Sequence, residues 1–268
     1  MSDMKGIVTL ESVRVVLGEY QALREVSIGF EEGKSTVIMG PSGCGKSTLL
    51  KTAAGLIPPD AGKVLYRGQE MFQLSDKALL AIRRENSFVF QDGALWENLS
   101  LAENLALPLR VHHPEMPAAE RNRKVIRALE RVGLEDSATD RPASLSGGER
   151  KIASFLRALI TEPALVFLDE PTLSIDHVMM DKINQMIRDM KSRGCTVIAV
   201  THDAELTSTL ADRLVIMDAG AVLESGSFDE VKRTKNTHAR SILAKVLGEI
   251  SSYDTDLLQL LDGEGDSN

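Results

Sequence analysis

The stretch Gly40-Pro-Ser-Gly-Cys-Gly-Lys-Ser47 constrains this chain more than any other. Three glycines within six positions would weaken a strand or a helix from inside, so the stretch is a loop. It follows the apolar, β-branched run Ser35–Met39 and precedes the helix formers that end near Gly55. Strand, glycine loop, helix is the context in which G-x-x-x-x-G-K-[ST] cradles phosphate. Bare backbone N–H groups converge on phosphate oxygens, and the helix N-terminus adds positive dipole. Lys46 is placed to neutralise β- and γ-phosphates and Ser47 to reach Mg²⁺. The expected phosphate set is Gly40, Pro41, Ser42, Gly43, Cys44, Gly45, Lys46, Ser47 and Thr48. At ordinary glycine frequency, a chance match in a chain this long is roughly one in a hundred. Cys44, inside the loop, is either a small filler or a thiol activated by the helix N-terminus.

A second stretch gains meaning from the first. Leu165–Leu168 is apolar and ends in Asp169 and Glu170. A carboxylate at the C-terminal end of a strand beside the loop's own strand can hold the Mg²⁺ shell, and a second one orients a water for attack. We therefore expect the strand 165–169 to lie next to Ser35–Met39.

The 268 residues are 43% hydrophobic and 26% charged, enough for one large α/β domain or two small ones. Aromatics are only 4%, so the core is expected to be aliphatic. A net charge of -8 argues against nucleic acid as a partner, because phosphate backbones need a basic face. Two cysteines, Cys44 and Cys195, provide neither a disulfide framework nor a four-ligand zinc site, which points to a reduced cytosolic setting. No apolar run reaches the roughly 18 residues of a membrane span, and the N-terminus lacks a secretory apolar region.

Along the chain, alternating β-branched residues predict strands from Ile7 to Phe30, and "NSFVFQ" (86–91) reads as a short buried strand. Helices are expected over 75–85 and over 101–131 with a break at "HHPEMPAAE" (112–120). "CTVIAVTH" (195–202) reads as a buried strand ending in His202, and "RLVIMDAGAVLESG" (213–226) as a hairpin. Strands alternating with helices predict a largely parallel sheet covered on both faces.

Leu145-Ser-Gly-Gly-Glu149, at a predicted helix start, offers bare N–H groups, a dipole and a hydroxyl to an anion. A second anion site makes sense where it serves another subunit's nucleotide. Here the sequence resembles the ABC ATPase family, whose signature is LSGGQ and whose two nucleotides are sandwiched between head-to-tail subunits. The motif order matches across residues 6–230: the glycine loop, Gln91 at the Q-loop, LSGGE at 145–149, Asp169 and Glu170 with "PTLSID" (171–176), then His202 in "VTHD". The resemblance implies a P-loop NTPase (RecA-like) α/β core with an antiparallel β subdomain and a helical subdomain inserted near 92–155. The ATPase domain would span 1–235, followed by a helical extension and acidic tail over 236–268. It also implies ATP and Mg²⁺ as ligands. Glu170 would be the general base, with Ser47, Gln91 and Asp169 around the metal and Lys46 and His202 stabilising γ-phosphate charge. Ser146 and Gly148 would act on the nucleotide of the other subunit, and Gly147 and Asp176 would also belong to the nucleotide-binding set. Glu149 replaces the family glutamine. The usual adenine-stacking aromatic is also missing: Leu17 stands there, with Tyr20 close by, and either can form the base platform.

The run "FQDGALWENLSLAENLALPLR" (90–110) resembles the segment in Mla-type ATPases of MCE-associated phospholipid transport, through Asp92, Gly93, Ala94, Leu95, Trp96, Asn104, Pro108, Leu109 and Arg110. In such transporters this segment receives the membrane partner; alternatively Trp96 packs inside the helical subdomain. The resemblance implies a homodimer closed by ATP, a separate permease with an MCE-domain protein, and a place at the cytoplasmic face of the inner membrane. A small-solute importer, a lipoprotein-releasing system and an iron–sulfur-assembly ATPase remain alternatives. Ile242, Leu243, Val246, Leu247 and Ile250 form one helical stripe, packed on its own domain or on a partner subunit.

Overall fold

The computed structural model describes residues 6–248 except 174 and 176. β1 (Val8–Leu17) and β2 (Tyr20–Phe30) pair antiparallel, from Val8 opposite Phe30 to Leu17 opposite Tyr20. β3 (Ser35–Met39) leads through the glycine loop into α1 (Lys46–Ala53). β4 (Ala61–Tyr66) and β5 (Gln69–Glu70) complete a four-stranded sheet in the order β2-β1-β4-β5. α2 (Asp76–Glu85), capped by the Ser75 hydroxyl, runs straight into β6 (Asn86–Val89). Three helices follow, α3 (Leu101–His112), α4 (Ala118–Glu130) and α5 (Gly147–Leu159). The break between α3 and α4 coincides with the prolines of 112–120. β7 (Leu165–Asp169), α6 (His177–Ser192), β8 (Thr196–Val200) and α7 (Ala204–Leu210) return the chain to the main sheet. The hairpin β9 (Arg213–Asp218) and β10 (Ala221–Ser227) then leads to α8 (Phe228–Lys232) and α9 (Thr237–Gly248).

The main sheet has six strands in the order β10-β9-β3-β8-β7-β6, parallel except for β10. Its two faces are read directly from the period-2 alternation of its strands. Val37, Val166, Leu168, Val197, Ala199, Leu214 and Ile216 join a core with α3 to α7. Ile38, Phe167, Ile198, Val200, Val215 and Met217 join a second core with α1 and the antiparallel sheet. Both faces are covered, so strands of five residues are buried throughout in β3, β7 and β8.

Two expectations are corrected. β7 does not lie beside β3, because β8 separates them. Parallel strands need a crossover, and the β7–α6–β8 unit brings β8, not β7, against β3. β6 is the edge strand and is only half-buried, apart from Val89. In α9, Ala239, Ile242 and Leu243 pack into the helical-face core of the same chain. The side chains of Val246 and Leu247, and Ile250 with the acidic tail, lie outside the described residues.

Trp96 is 56% exposed, so it is not buried within the helical insert. Its backbone is held by Asn104, which is fully buried on α3. Asn104 Oδ1 accepts from the Trp96 N–H at 2.8 Å, and Nδ2 donates to the carbonyls of Trp96, Ser100 and Leu99 at 3.0, 3.0 and 3.3 Å. One amide thus completes a turn whose backbone bonds leave the Trp96 N–H and the Leu99 carbonyl to it. Replacing it by leucine keeps the volume and strands the Trp96 N–H and the Leu99 carbonyl, whereas the Trp96 and Ser100 carbonyls keep the N–H groups of Leu99 and Asn104. Asn104→Leu is therefore expected to lower stability by about 1–3 kcal/mol, read as a fall in urea midpoint; an unchanged midpoint would show that water replaces the amide.

Candidate functional site

The C-terminal ends of β3, β7 and β8, with the residues after β6, open on one edge of the main sheet, where ligands of parallel α/β sheets bind. The glycine loop emerges there, clamped between two strands. A Cβ on Gly40 would lie 2.2 Å from the Met217 carbonyl oxygen on β9, and one on Gly45 2.4 Å from that of Ala22 on β2. Only glycine lets the loop sit this close. Lys46 is buried and donates to the Gly40 and Pro41 carbonyls at 2.8 and 2.9 Å, so its ammonium lies inside the loop's curl.

Cys44 is 4% exposed, and burial, its largest influence, raises the thiol above its usual range despite Lys46 nearby. Its Sγ would lie 2.8 Å from a Cβ on Gly40, so it fills the loop's underside. The activated-thiol alternative is thereby set aside.

Ser47 Oγ donates to Asp169 Oδ1 at 2.7 Å, and Lys51 Nζ, one turn along α1, lies 3.4 Å from Asp169 Oδ2. This hydrogen bond joins the two motifs although β8 stands between their strands. Gln91, just after β6, borders a pocket of about 400 Å³ together with Asp169 and Lys51. Ser47, Asp169 and Gln91 are hard oxygen donors. Among the described residues no cluster of three His, Cys, Asp or Glu side chains could hold a metal alone. That donor set suits Mg²⁺, which takes one or two side chains plus phosphates and waters.

Glu170 follows Asp169 with a left-handed backbone, φ 47, which a side-chain-bearing residue adopts only at some energetic cost. The turn is fixed by its N–H, which donates to the Val200 carbonyl at 2.9 Å. It aims the carboxylate at His202, whose Nε2 lies 3.2 Å from Glu170 Oε1. The loop carrying His202 is pinned by Asp203, whose N–H donates to Thr201 Oγ1 and whose carboxylate caps α7. Burial pushes the Glu170 carboxyl up to about 7, against a backbone hydrogen bond from His202 and the Lys46 charge.

These groups share one cavity of about 490 Å³ lined by Ser42, Gly43, Gly45, Lys46, Ser47, Thr48, Gln91, Glu170 and His202. Leu17 and Tyr20 border it as well, both about half exposed, and the Tyr20 hydroxyl donates to the Gly43 carbonyl at 2.9 Å. A groove of about 610 Å³ lies elsewhere, between α4, α5 and α6. Its floor is apolar; of its rim cations Lys124 pairs with Glu162 and Arg131 with Asp189, and Arg123, Arg127 and Arg193 line it as well.

Ser146, Gly147 and Gly148 do not line the 490 Å³ cavity. Ser146 caps α5 in a reciprocal box, accepting from the Glu149 N–H at 3.2 Å while its own N–H donates to Glu149 Oε2 at 2.7 Å. Hydrogen bonds from the Ser146 side chain and backbone hold the Glu149 carboxyl below its usual range. The helix end that offers its N–H groups outward thus carries a negative charge of its own. Asp176 lies outside the described residues, as does Ser174.

Three cations escaped the sequence reading. Lys51 was legible as Ser47 plus one helical turn. Lys151 and Arg157 interrupt the apolar run of α5, and both reach the segment after β6. Lys151 Nζ donates to the Gln91 carbonyl, and Arg157 to the carbonyls of Ala94 and Gly93 at 2.6 and 3.0 Å.

A family profile described as ABC transporter matches residues 23–173. The methionine import ATP-binding protein MetN of Brucella abortus (strain 2308) is 38% identical over 221 residues, covering 82% of this chain and 59% of MetN. The chain thus spans about 59% of the length of the MetN relatives it matches. The intermembrane phospholipid transport system ATP-binding protein MlaF of Escherichia coli (strain K12) is 33% identical over 242 residues, covering 90% of each chain. Among solved structures, the dimeric post-hydrolysis state of the ATP-binding cassette MJ0796 bound to ADP and Pi is 33% identical. It superposes with a TM-score of 0.75 over 82% of this chain and 98% of that one.

The raised Glu170 carboxyl makes a prediction for the free protein. Between pH 4.5 and about 7 the folded chain binds more protons here than the unfolded chain, so this contribution to stability is lost as pH rises through that window. Glu170→Gln is therefore expected to melt above wild type near pH 8, with the two curves converging toward pH 5. Parallel curves of melting temperature against pH would show that Glu170 titrates normally.

Proposed function

The chain belongs to the ABC transporter family, and we propose that it is the ATP-hydrolysing subunit of a transporter whose membrane-spanning permease is a separate protein. The observation that carries this reading is the convergence of Lys46, Ser47, Gln91, Glu170 and His202 on one cavity, with Asp169 hydrogen-bonded to Ser47 at its edge. Among the described residues no helix is long and apolar enough to cross a membrane. In this reading the chain sits peripherally at the cytoplasmic face of the inner membrane.

ATP lies with its phosphates on the N–H groups of the glycine loop and α1, and its base against Leu17 and Tyr20. Lys46 turns from the loop carbonyls to the β- and γ-phosphates. Ser47, Asp169 and Gln91 would hold Mg²⁺, which would supply charge neutralisation on the phosphates. The Glu170 carboxylate accepts a proton from the attacking water, and His202 donates to the γ-phosphate and orients Glu170. A group that ionises only near neutrality in the free site is matched to this work. Ser146, Gly147 and Gly148, outside the cavity of their own chain, serve the γ-phosphate of a second copy in a head-to-tail homodimer, together with Asp176. Phosphoryl transfer depends on positioning and electrostatics, so hydrolysis waits for closure of the two chains.

For cargo we favour phospholipid or other lipid trafficking of the Mla/MCE type. Support comes from the match to MlaF over 90% of both chains and from the exposed Trp96 in the segment that would meet the permease. Import of a small solute is the second reading, favoured by the higher identity to MetN.

Glu170→Gln is expected to bind Mg-ATP normally, lose at least about 100-fold in turnover, and accumulate an ATP-bound dimer on size-exclusion chromatography. Near-wild-type turnover in that variant overturns the role given to Glu170. Tagged wild-type chain pulled from detergent-solubilised membranes is expected to bring down a permease together with an MCE-domain protein by mass spectrometry. Recovery of a solute permease instead selects the second reading, and iron–sulfur scaffold proteins would remove the transport assignment altogether.

A further inference from the structure

Lys151 is a lysine that the mechanism above does not use, and its surroundings are unusual for one. It is 5% exposed on α5, among Ile152, Ala153, Ser154 and Phe155, all buried. A buried ammonium is unfavourable unless charge and hydrogen bonds compensate it. Its hydrogen bond goes to the backbone carbonyl of Gln91, in the segment that borders the nucleotide cavity.

The same helix holds the next residues of that segment. Arg157, half-buried, donates to the carbonyls of Gly93 and Ala94, where the backbone turns through left-handed conformations, φ 79 and 45. Gly93 lies against Ser154, with a Cβ built on it 3.5 Å from the Ser154 Cβ. The segment 91–94 therefore hangs from α5 by two cations, and Asn104 holds its continuation at Trp96. α5 begins at Gly147, and Lys151 lies about 6 Å farther along its axis by helix rise. The helix end exposed to a second subunit and the grip on Gln91 thus belong to one rigid rod.

We propose that Lys151 is a positioning residue that makes Gln91 follow the signature helix, so that engagement of a second subunit at Ser146 and engagement of Gln91 at the chain's own nucleotide are one event. The proposal rests on the ATPase reading above. Its chemistry is a charged strut. The ammonium ties the Gln91 backbone to α5. When α5 moves with the helical insert, the Gln91 amide moves with it.

Trp96 is the single tryptophan of the chain and lies in the strut's continuation, so its emission reports this movement. The test compares full-length wild type with Lys151→Met, which keeps length and removes charge and donor. In wild type, Mg-ATP is expected to shift Trp96 emission. In Lys151→Met, ATP affinity measured by calorimetry and KM stay within about threefold, kcat falls at least about tenfold, and the Trp96 response to Mg-ATP is lost. A purely structural role would move the melting temperature and leave the kcat-against-KM split and the emission response unchanged, and that result overturns the proposal. Should Lys151→Met fail to fold, Lys151→Gln decides: its shorter, uncharged amide is expected to give a smaller loss of kcat in the same direction, and unchanged kcat and emission overturn the proposal. Wild-type chain that neither binds nor hydrolyses Mg-ATP overturns the underlying reading, and the proposal with it.

Discussion

The site depends on the parallel register of β3, β8, β7 and β6. Parallel strands end together, so one edge of the sheet receives the glycine loop, Thr201 and His202, Asp169 and Glu170, and Gln91 from four separate parts of the chain. Register alone does not make the carboxylates useful, because β8 lies between the glycine loop's strand and theirs. The Ser47–Asp169 hydrogen bond closes that gap, and the left-handed turn at Glu170 carries the second carboxylate to His202. An antiparallel order would send half of these strand ends to the opposite edge.

The sheet edge gathers the polar side chains of the cavity, and α5 grips the segment that borders it. Among the described residues, Ser146, Gly147 and Gly148 lie away from their own chain's cavity, while Lys151 and Arg157, farther along the same helix, grip the segment that borders it. That division suits an enzyme completed by a second copy of itself. It also places ionised Glu149 at the outward helix end, where the charge favours the helix in the lone chain and opposes an incoming phosphate.

Local chemistry explains what could be read in advance. The glycine loop needs only its own eight residues and flanking periodicity to announce a phosphate site, and the paired faces of β3, β7, β8 and β9 follow from strict alternation. The failures are equally physical. A run such as Leu165–Asp169 says that a strand is buried, but not which strand lies beside it, since the crossover decides that. β6 reads as buried because the apolar pair Phe88 and Val89 continues into Phe90, yet it is an edge strand. Lys151 and Arg157 carry no local motif and matter through carbonyls some sixty residues back in the chain, while the sequence pattern that includes Asn104 does not show that its amide holds the loop at Trp96. Cys44 had two open readings, and only packing against Gly40 chose the filler.

The sequence by itself determined the residue types a phosphate site requires, their order along the chain, and the strand and helix periods that frame them. These depend on backbone conformation and on neighbours within a few positions. Tertiary structure decided which carboxylate meets which hydroxyl, that burial lifts Glu170 toward neutrality, that Trp96 faces outward, and that α5 holds the residues after β6. Those facts turn on distance and desolvation between segments far apart in the chain, and a linear pattern encodes neither.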